Sequence, residues 1–394
     1  MPCRGCPSYL LPYNRRMDCT LTHLGAMSVS RFMREHWQRR PLLVRNALTP
    51  PAVDRRQLFA LAARDEVESR LIVRRGQDWT LRHGPIPRRA LPPLRQKHWT
   101  LLVQGLDGLD QAAHRFLARF RFVPDARLDD LMASYASDGG GVGPHVDNYD
   151  VFLVQAAGFR RWRIGRARDP RLQPGRPLRL LAHFQPEQEW LLGPGDLLYL
   201  PPGIAHDGIA VGESITLSVG YRTPTFQELL DPWFADFASR NELPGRYADP
   251  GLRPTTRPGA LPPAMVARVH AALSRHRPRR ADTERFLLEY LSEPKDHIVF
   301  RRPPRIPAPA AFARAARRRG VLLDPRSRLL TGRTGVGING EFVPAAPGGV
   351  PASLRQLADR RRLDGRQLAA APAACLTLLR DWLQAGWLTL GPGR

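Results

Sequence analysis

Two histidines and an aspartate carry the chemistry of this sequence. His145 and Asp147 lie two apart in Gly-Val-Gly-Pro-His-Val-Asp-Asn-Tyr-Asp (141–150), and His206 closes Gly-Pro-Gly-Asp-Leu-Leu-Tyr-Leu-Pro-Pro-Gly-Ile-Ala-His (193–206). Side chains two apart on an extended backbone project to the same side, so a His-x-Asp pair can hold one ion from one strand. The third ligand must then return from a neighbouring strand. Two imidazoles and a carboxylate on one face of a metal, with the other positions open, form the ligand set of non-haem Fe(II) oxygenases. A closed zinc site would want a fourth protein ligand, and nothing nearby nominates one. His-x-Asp alone is a weak motif, and its surroundings strengthen it. The run Gly139-Gly-Gly-Val-Gly-Pro lets the backbone bend sharply before His145, and a turn, a strand and a second turn precede His206.

A basic residue accompanies this set. Ala157-Gly158 is expected to turn the chain between strands Val151–Gln155 and Phe159–Ile164. Alternation then gives Arg160, Trp162 and Ile164 one face, and the Trp and Ile mark it as interior. A guanidinium pointing into an apolar interior is costly unless an anion pairs with it, and a carboxylate is its natural bidentate partner. A slip of one residue would put Arg161 or Arg163 there instead. Ser214, Thr216 and Ser218 alternate with Ile215, Leu217 and Val219. Whether that polar face looks into a barrel or out to water is open at this level.

These residues need a sheet to hold them. From Leu131 to Tyr221 short strands bounded by Gly and Pro indicate an all-β sandwich or barrel: Leu131–Ser137, Val151–Gln155, Phe159–Ile164, Glu189–Leu192, Asp196–Leu200 and Ser214–Tyr221. Helices are expected before it at Ser28–Trp37, Gln57–Ala63 and Gln111–Phe120. More follow at Phe226–Arg240, Pro262–His276 and Ala281–Ser292. A proline-rich linker begins at Arg301. Beyond it come a helix over Ala310–Arg319, a strand near Val321 and another over Ile338–Val343. Helices near Leu354–Arg361 and Leu376–Ala385 and a terminal strand complete a winged-helix-like pattern.

Composition sets the frame. The chain has 394 residues, 43% hydrophobic and 24% charged, enough for two or three domains. No apolar run approaches the roughly 20 residues that span a bilayer, and the N-terminus lacks the apolar core of a secretory signal. Cys3, Cys6, Cys19 and Cys375 are too few and too unevenly spaced for a disulfide framework, so a reducing cytoplasm is expected. The Cys3–Cys6 pair has no second pair with which to bind zinc. Net charge is +24, and Lys97 and Lys295 are the only lysines. Such charge attracts phosphate backbones, but arginine bias with abundant Ala, Pro and Gly also marks a GC-rich genome. Direct nucleic-acid binding stays open.

The chain resembles the JmjC-type 2-oxoglutarate oxygenases of the cupin superfamily, specifically the bacterial ribosomal oxygenases. The resemblance runs from about Thr20 to the C-terminus. It rests on Leu21-Thr-His-Leu-Gly, His36-Trp-Gln-Arg-Arg-Pro-Leu-Leu-Val-Arg-Asn-Ala, 139–152, Phe159-Arg-Arg-Trp-Arg-Ile-Gly, 194–206 and Ser218-Val-Gly-Tyr-Arg-Thr-Pro. It implies an α+β multidomain chain: an N-terminal extension (1–19), a double-stranded β-helix catalytic domain (20–225), a helical dimerisation module (226–300) and a winged-helix-like domain (301–394). The implied activity uses Fe(II), 2-oxoglutarate and dioxygen to hydroxylate an arginine of the sixteenth large-subunit ribosomal protein. Residue by residue, His145, Asp147 and His206 match the iron ligands and Arg160 the 2-oxoglutarate arginine. Ser134 and Thr216 fall where the family places smaller polar contacts, although it often has asparagine at the latter. The implied protein is a homodimer with no membrane association. Tyr149, Asp150 and Asp207, near the ligands in sequence, are expected to line the pocket mouth. The rival readings are a histidyl hydroxylase of another ribosomal protein, an inactive cupin whose C-terminal module binds nucleic acid, and a zinc-type cupin isomerase.

Overall fold

The computed structural model describes residues 20–392, so the Cys3–Cys6 pair and the expected 1–19 extension lie outside the described residues. The chain divides into two compact units. The first holds the described residues up to Thr223 together with Pro294–Ser327 and the described residues from Arg360 on, and the second holds Pro224–Glu293 and Arg328–Asp359.

The first unit is built on an antiparallel sheet of ten strands. Its main path runs Leu42–Val44, Leu197–Leu200, Val151–Arg166, Ile204–Tyr221, Leu128–Ala136, Trp99–Val103, Ser69–Arg75 and Asp78–His83. Gln188–Leu192 adds to Val151–Arg166, and His145–Val146 to Ile204–Tyr221. Alternation sorts the side chains into two cores. Phe152, Val154, Leu197, Tyr199, Ile215, Leu217 and Val219 join the larger cluster, with helix residues such as Phe32, Leu58 and Phe116. Val151, Leu153, Leu198 and Leu200 take the opposite face and pack with Trp162, Ile164 and Leu192. Residues from both halves of the Val151–Arg166 strand therefore meet in one interior, so the strand folds over to close a barrel.

The structure departs from the sequence expectations in two places within this sheet. The strands expected at Val151–Gln155 and Phe159–Ile164 are one strand, Val151–Arg166, with no turn at Ala157-Gly158. Gly158 instead takes φ +63° opposite an irregularity between Val211 and Ile215, where a Cβ would run into the Glu213 carbonyl. Only glycine permits that bend without breaking the strand. Likewise, Ser214–Tyr221 is the end of a strand that starts at Ile204, so His206 lies near the beginning of that same strand.

The C-terminal part of this unit sets Val321–Leu323 between Arg362–Leu363 and Leu388–Leu390. Helices Pro309–Arg319, Gly365–Ala369 and Ala373–Ala385 accompany the sheet. The second unit contains helices Phe226–Arg240, Pro263–Arg275 and Arg280–Ser292 and a small sheet of Leu329–Thr331, Gly335–Ile338 and Glu341–Pro344. Thr225 and Glu228 form a capping box at the first helix. The single strand expected over Ile338–Val343 is a hairpin turning at Asn339-Gly340, both with positive φ. Asn-Gly is the dipeptide that two-residue hairpins favour.

Candidate metal centre

His145 stands directly opposite His206 across the pairing of His145–Val146 with Ile204–Tyr221. Opposed residues share a face, and the two rings lie 4.2 Å apart. Asp147 follows two residues on. Its carboxylate oxygens are 3.9 Å from His145 Nε2 and 3.6 Å from His206 Nε2. One ligand atom from each residue lies within 4.8 Å of the others, and among the described residues no fourth His, Cys, Asp or Glu joins the group. The Nδ1 atoms donate outward, His145 to the Gly143 carbonyl at 2.8 Å and His206 to the Ile204 carbonyl at 3.0 Å. That fixes both tautomers with the Nε2 lone pairs toward the centre. Burial and the neighbouring His145 hold His206 down to about 4, against the pull of Asp147. The imidazole is therefore neutral near pH 7, the form a metal requires. Such a set can hold one divalent ion and leave positions open for other ligands.

Arg160 enters the same interior. It opposes Ala210, as Ile164 opposes His206, and it is only 4% exposed. Nη1 donates to Ser134 Oγ at 3.2 Å, while Nε and Nη2 have no partner among the described residues. Burial lowers its pKa to about 10, opposed by Asp207. Arg161 and Arg163 face the other way, pairing with Glu189 and Asp207. A buried guanidinium with unused donors fits an anionic group that enters from the metal side. Ser134 opposes Thr216, and Thr216 Oγ1 donates to Gln155 Oε1 at 2.9 Å. Ser214, Thr216 and Ser218 are all buried, so the polar stripe looks into the barrel.

Trp162 served in sequence only to mark the interior face. It stands 5.9 Å from the His206 ring and 5.8 Å from the Arg160 guanidinium, and its buried Nε1–H has no partner among the described residues. The indole thus links the metal ligands to the anion-binding arginine. Gly208, opposite it, leaves room for the ring, which a Cβ there would meet.

At the mouth, one of the three expected residues is in place. Tyr149 is 40% exposed, and burial together with the nearby Asp147 charge pushes its pKa up. Asp150 does not line the mouth. It is fully buried and accepts from Tyr199 Oη at 2.6 Å, Gln38 Nε2 at 2.9 Å and Arg127 Nη2 at 3.3 Å. Asp207, buried and paired with Arg163, lies on the face opposite His206. The second carboxylate that acts on Tyr149 is Asp130, on the interior face with Met132 and Ser134. It accepts from Lys295 Nζ at 2.9 Å and from the Gly105 amide at 3.1 Å. Sequence distance concealed Asp130, which comes from a strand 15 or more residues before the ligands.

Comparison with known proteins agrees with this geometry. A JmjC domain model matches residues 115–229, and a ROXA-like winged-helix model matches 272–389. The ribosomal protein uL16 3-hydroxylase of Escherichia coli (strain K12) is 37% identical over 244 residues, 60% of this chain and 64% of that protein. A probable ribosomal oxygenase of Haemophilus influenzae is 35% identical over 207 residues, 51% of each chain. These alignments span less than two thirds of either relative. The structure of YcfD, a ribosomal oxygenase from Escherichia coli, in complex with cobalt and 2-oxoglutarate superposes with a TM-score of 0.80 at 27% identity. It covers 94% of this chain and all of that one. The chain thus carries a JmjC domain and a ROXA-like winged helix, and it shares its fold with that solved ribosomal oxygenase along the whole of the solved chain.

Proposed function

We propose that this protein is an Fe(II)- and 2-oxoglutarate-dependent protein hydroxylase acting on an arginine of the sixteenth large-subunit ribosomal protein. The observation that carries the reading is the open His145–Asp147–His206 set on the same interior face as the half-unsatisfied guanidinium of Arg160. His145, Asp147 and His206 would hold the iron. Arg160, with Ser134 beside it, would hold the distal carboxylate of 2-oxoglutarate, the Trp162 N–H would face the molecule between them, and Thr216 would border the site. Bound iron supplies dioxygen activation coupled to decarboxylation of the keto acid. The chain itself orients the two histidines through the Gly143 and Ile204 carbonyls.

An arginine substrate keeps its charge and must be paired or stacked. The exposed ring of Tyr149, two residues from Asp147, would supply an aromatic face, and Asp130, on the interior face of its strand with Ser134, would supply a carboxylate. Lys295 holds Asp130 in place, so an incoming guanidinium meets an acid that is already oriented. Helices Phe226–Arg240 and Pro263–Arg275 are proposed to pair two copies of the chain, since Phe226, Phe234, Val266 and Leu273 are each at least half exposed. No helix among the described residues is long and apolar enough to cross a membrane. Action on a ribosomal protein fits the cytoplasm.

The test is peptide hydroxylation. Ribosomal peptides containing arginine or histidine are incubated with enzyme, Fe(II) and 2-oxoglutarate, and the mass gain of one oxygen is sought. Oxidation of the arginine peptide supports the reading. Oxidation of the histidine peptide alone moves the protein to a histidyl hydroxylase, and turnover by metal-stripped enzyme refutes the iron site.

A further inference from the structure

The positive charge is unevenly distributed. Residues 301–394 hold 17 arginines against five Asp and Glu, a net +12, whereas residues 20–225 hold 29 basic against 20 acidic residues, a net +9 over a stretch twice as long. Genome composition raises arginine everywhere. It does not remove carboxylates from one part of a chain.

The fold gathers part of that excess. Arg314, Arg317 and Arg318 are spaced three and four apart on the Pro309–Arg319 helix, so they share a side, while Phe312 and Ala316 are its buried residues. Gly365 abuts the Arg317 carbonyl so closely that a Cβ would collide with it. That approach sets the start of the Gly365–Ala369 helix, and with it Arg366, against the C-terminal end of the arginine helix. Arg314, Arg317, Arg318, Arg360 and Arg366 are all exposed, and none has an ion-pair partner among the described residues. Arg319 differs, its Nε donating to the Gly391 carbonyl at 2.6 Å. Asp364, the one acid between 360 and 366, caps the short helix by accepting from the Gln367 amide. A favourable interaction with the helix C-terminus accounts for a basic residue at Arg317 or Arg318. It does not account for Arg314, Arg317, Arg318 and Arg366 together, none of them ion-paired among the described residues.

We infer that this arginine face is a docking surface for the phosphate backbone of folded RNA. Guanidinium groups bind phosphate bidentately and read no base from outside the grooves, so the interaction is electrostatic and salt-dependent. The choice of RNA rests on the ribosomal reading above, because a substrate embedded in a ribosomal particle presents RNA around it. The surface also answers an electrostatic difficulty. A strongly basic enzyme is repelled by a basic ribosomal protein but held by the RNA that surrounds it.

Binding of a labelled RNA hairpin to the full-length protein, followed by fluorescence anisotropy across a salt series, tests this. A variant carrying Arg317→Gln, Arg318→Gln and Arg366→Gln should weaken binding by about tenfold or more near physiological salt. It should also flatten the log–log salt slope by roughly 0.9 for each phosphate that the variant no longer neutralises. Its thermal transition and its turnover of a short peptide should match the parent protein. A control variant carrying Arg75→Gln, Arg89→Gln and Arg95→Gln, exposed positions of equal total charge, should bind nearly as the parent does. Equal weakening in both variants would make the effect one of net charge and overturn the proposal. Tighter binding of an acidic peptide or a DNA duplex than of the hairpin would also overturn it. RNA binding is read without turnover, so a protein that fails the hydroxylation test but binds RNA through these arginines separates the two proposals.

Discussion

Replacing Arg160 with methionine should move folding and ligand binding in opposite directions. In the ligand-free protein the guanidinium is 4% exposed, has one hydrogen bond to Ser134 and leaves Nε and Nη2 without partners. Burial draws its pKa from 12.5 to about 10, a fall that corresponds to about 3 kcal/mol against the charged form. Methionine is similar in length, uncharged and flexible enough to fill the space. The ligand-free variant is therefore expected to equal the parent in stability or to exceed it by up to about 3 kcal/mol, as when buried charges are replaced by apolar groups. Adding 2-oxoglutarate with Co(II) reverses the order. The parent gains a charge-assisted pair that the variant cannot form, worth about 2–5 kcal/mol, or about 30-fold or more in affinity. Thermal denaturation with and without ligand, together with titration calorimetry, reads both halves. A variant that loses stability without ligand yet keeps the parent's affinity for 2-oxoglutarate would refute the reasoning, because the guanidinium would then be serving the fold.

Asp147→Ala removes the only anionic ligand and should abolish both turnover and the visible Co(II) spectrum, while circular dichroism stays unchanged. Light scattering at micromolar concentration should give a dimer mass, and Phe234→Glu with Leu273→Glu should shift it to monomer, since both side chains are more than half exposed on their helices. Acid should destabilise the fold through His114. Burial, with Arg361, Arg121 and Arg115 nearby, lowers it to about 3, below its usual 6.5. A depressed folded pKa gives stability that is complete above pH 6.5 and lost as pH falls toward 3, at up to about 1.4 kcal/mol per pH unit. Urea unfolding at pH 7 and pH 5 should show a smaller loss for His114→Gln than for the parent, and equal losses would remove His114 from the account.

Much of the site is legible in the chain because short-range rules govern it. The period-2 rule puts His145 and Asp147 on one side of a strand, and Arg160, Trp162 and Ile164 on another shared face. Those relations survive whatever the strands pair with. The helix expected from Ser28 likewise begins behind that serine, whose side chain caps it.

Tertiary structure decided the relations that need a partner strand. Ser214, Thr216 and Ser218 read as a stripe that could face water, because alternation distinguishes two faces but does not say which is covered. Here both are covered, one by the helices and the other by the closed barrel. Ala157-Gly158 reads as a turn, yet the opposing strand carries its own irregularity at 211–215, and the paired chains bend together without ending. Asp150 and Asp207 are near the ligands in sequence but point away from them, each held by an arginine. Local periodicity fixes the direction of a side chain relative to its own backbone. What lies in that direction is set by long-range strand pairing and burial, which no window of the sequence contains.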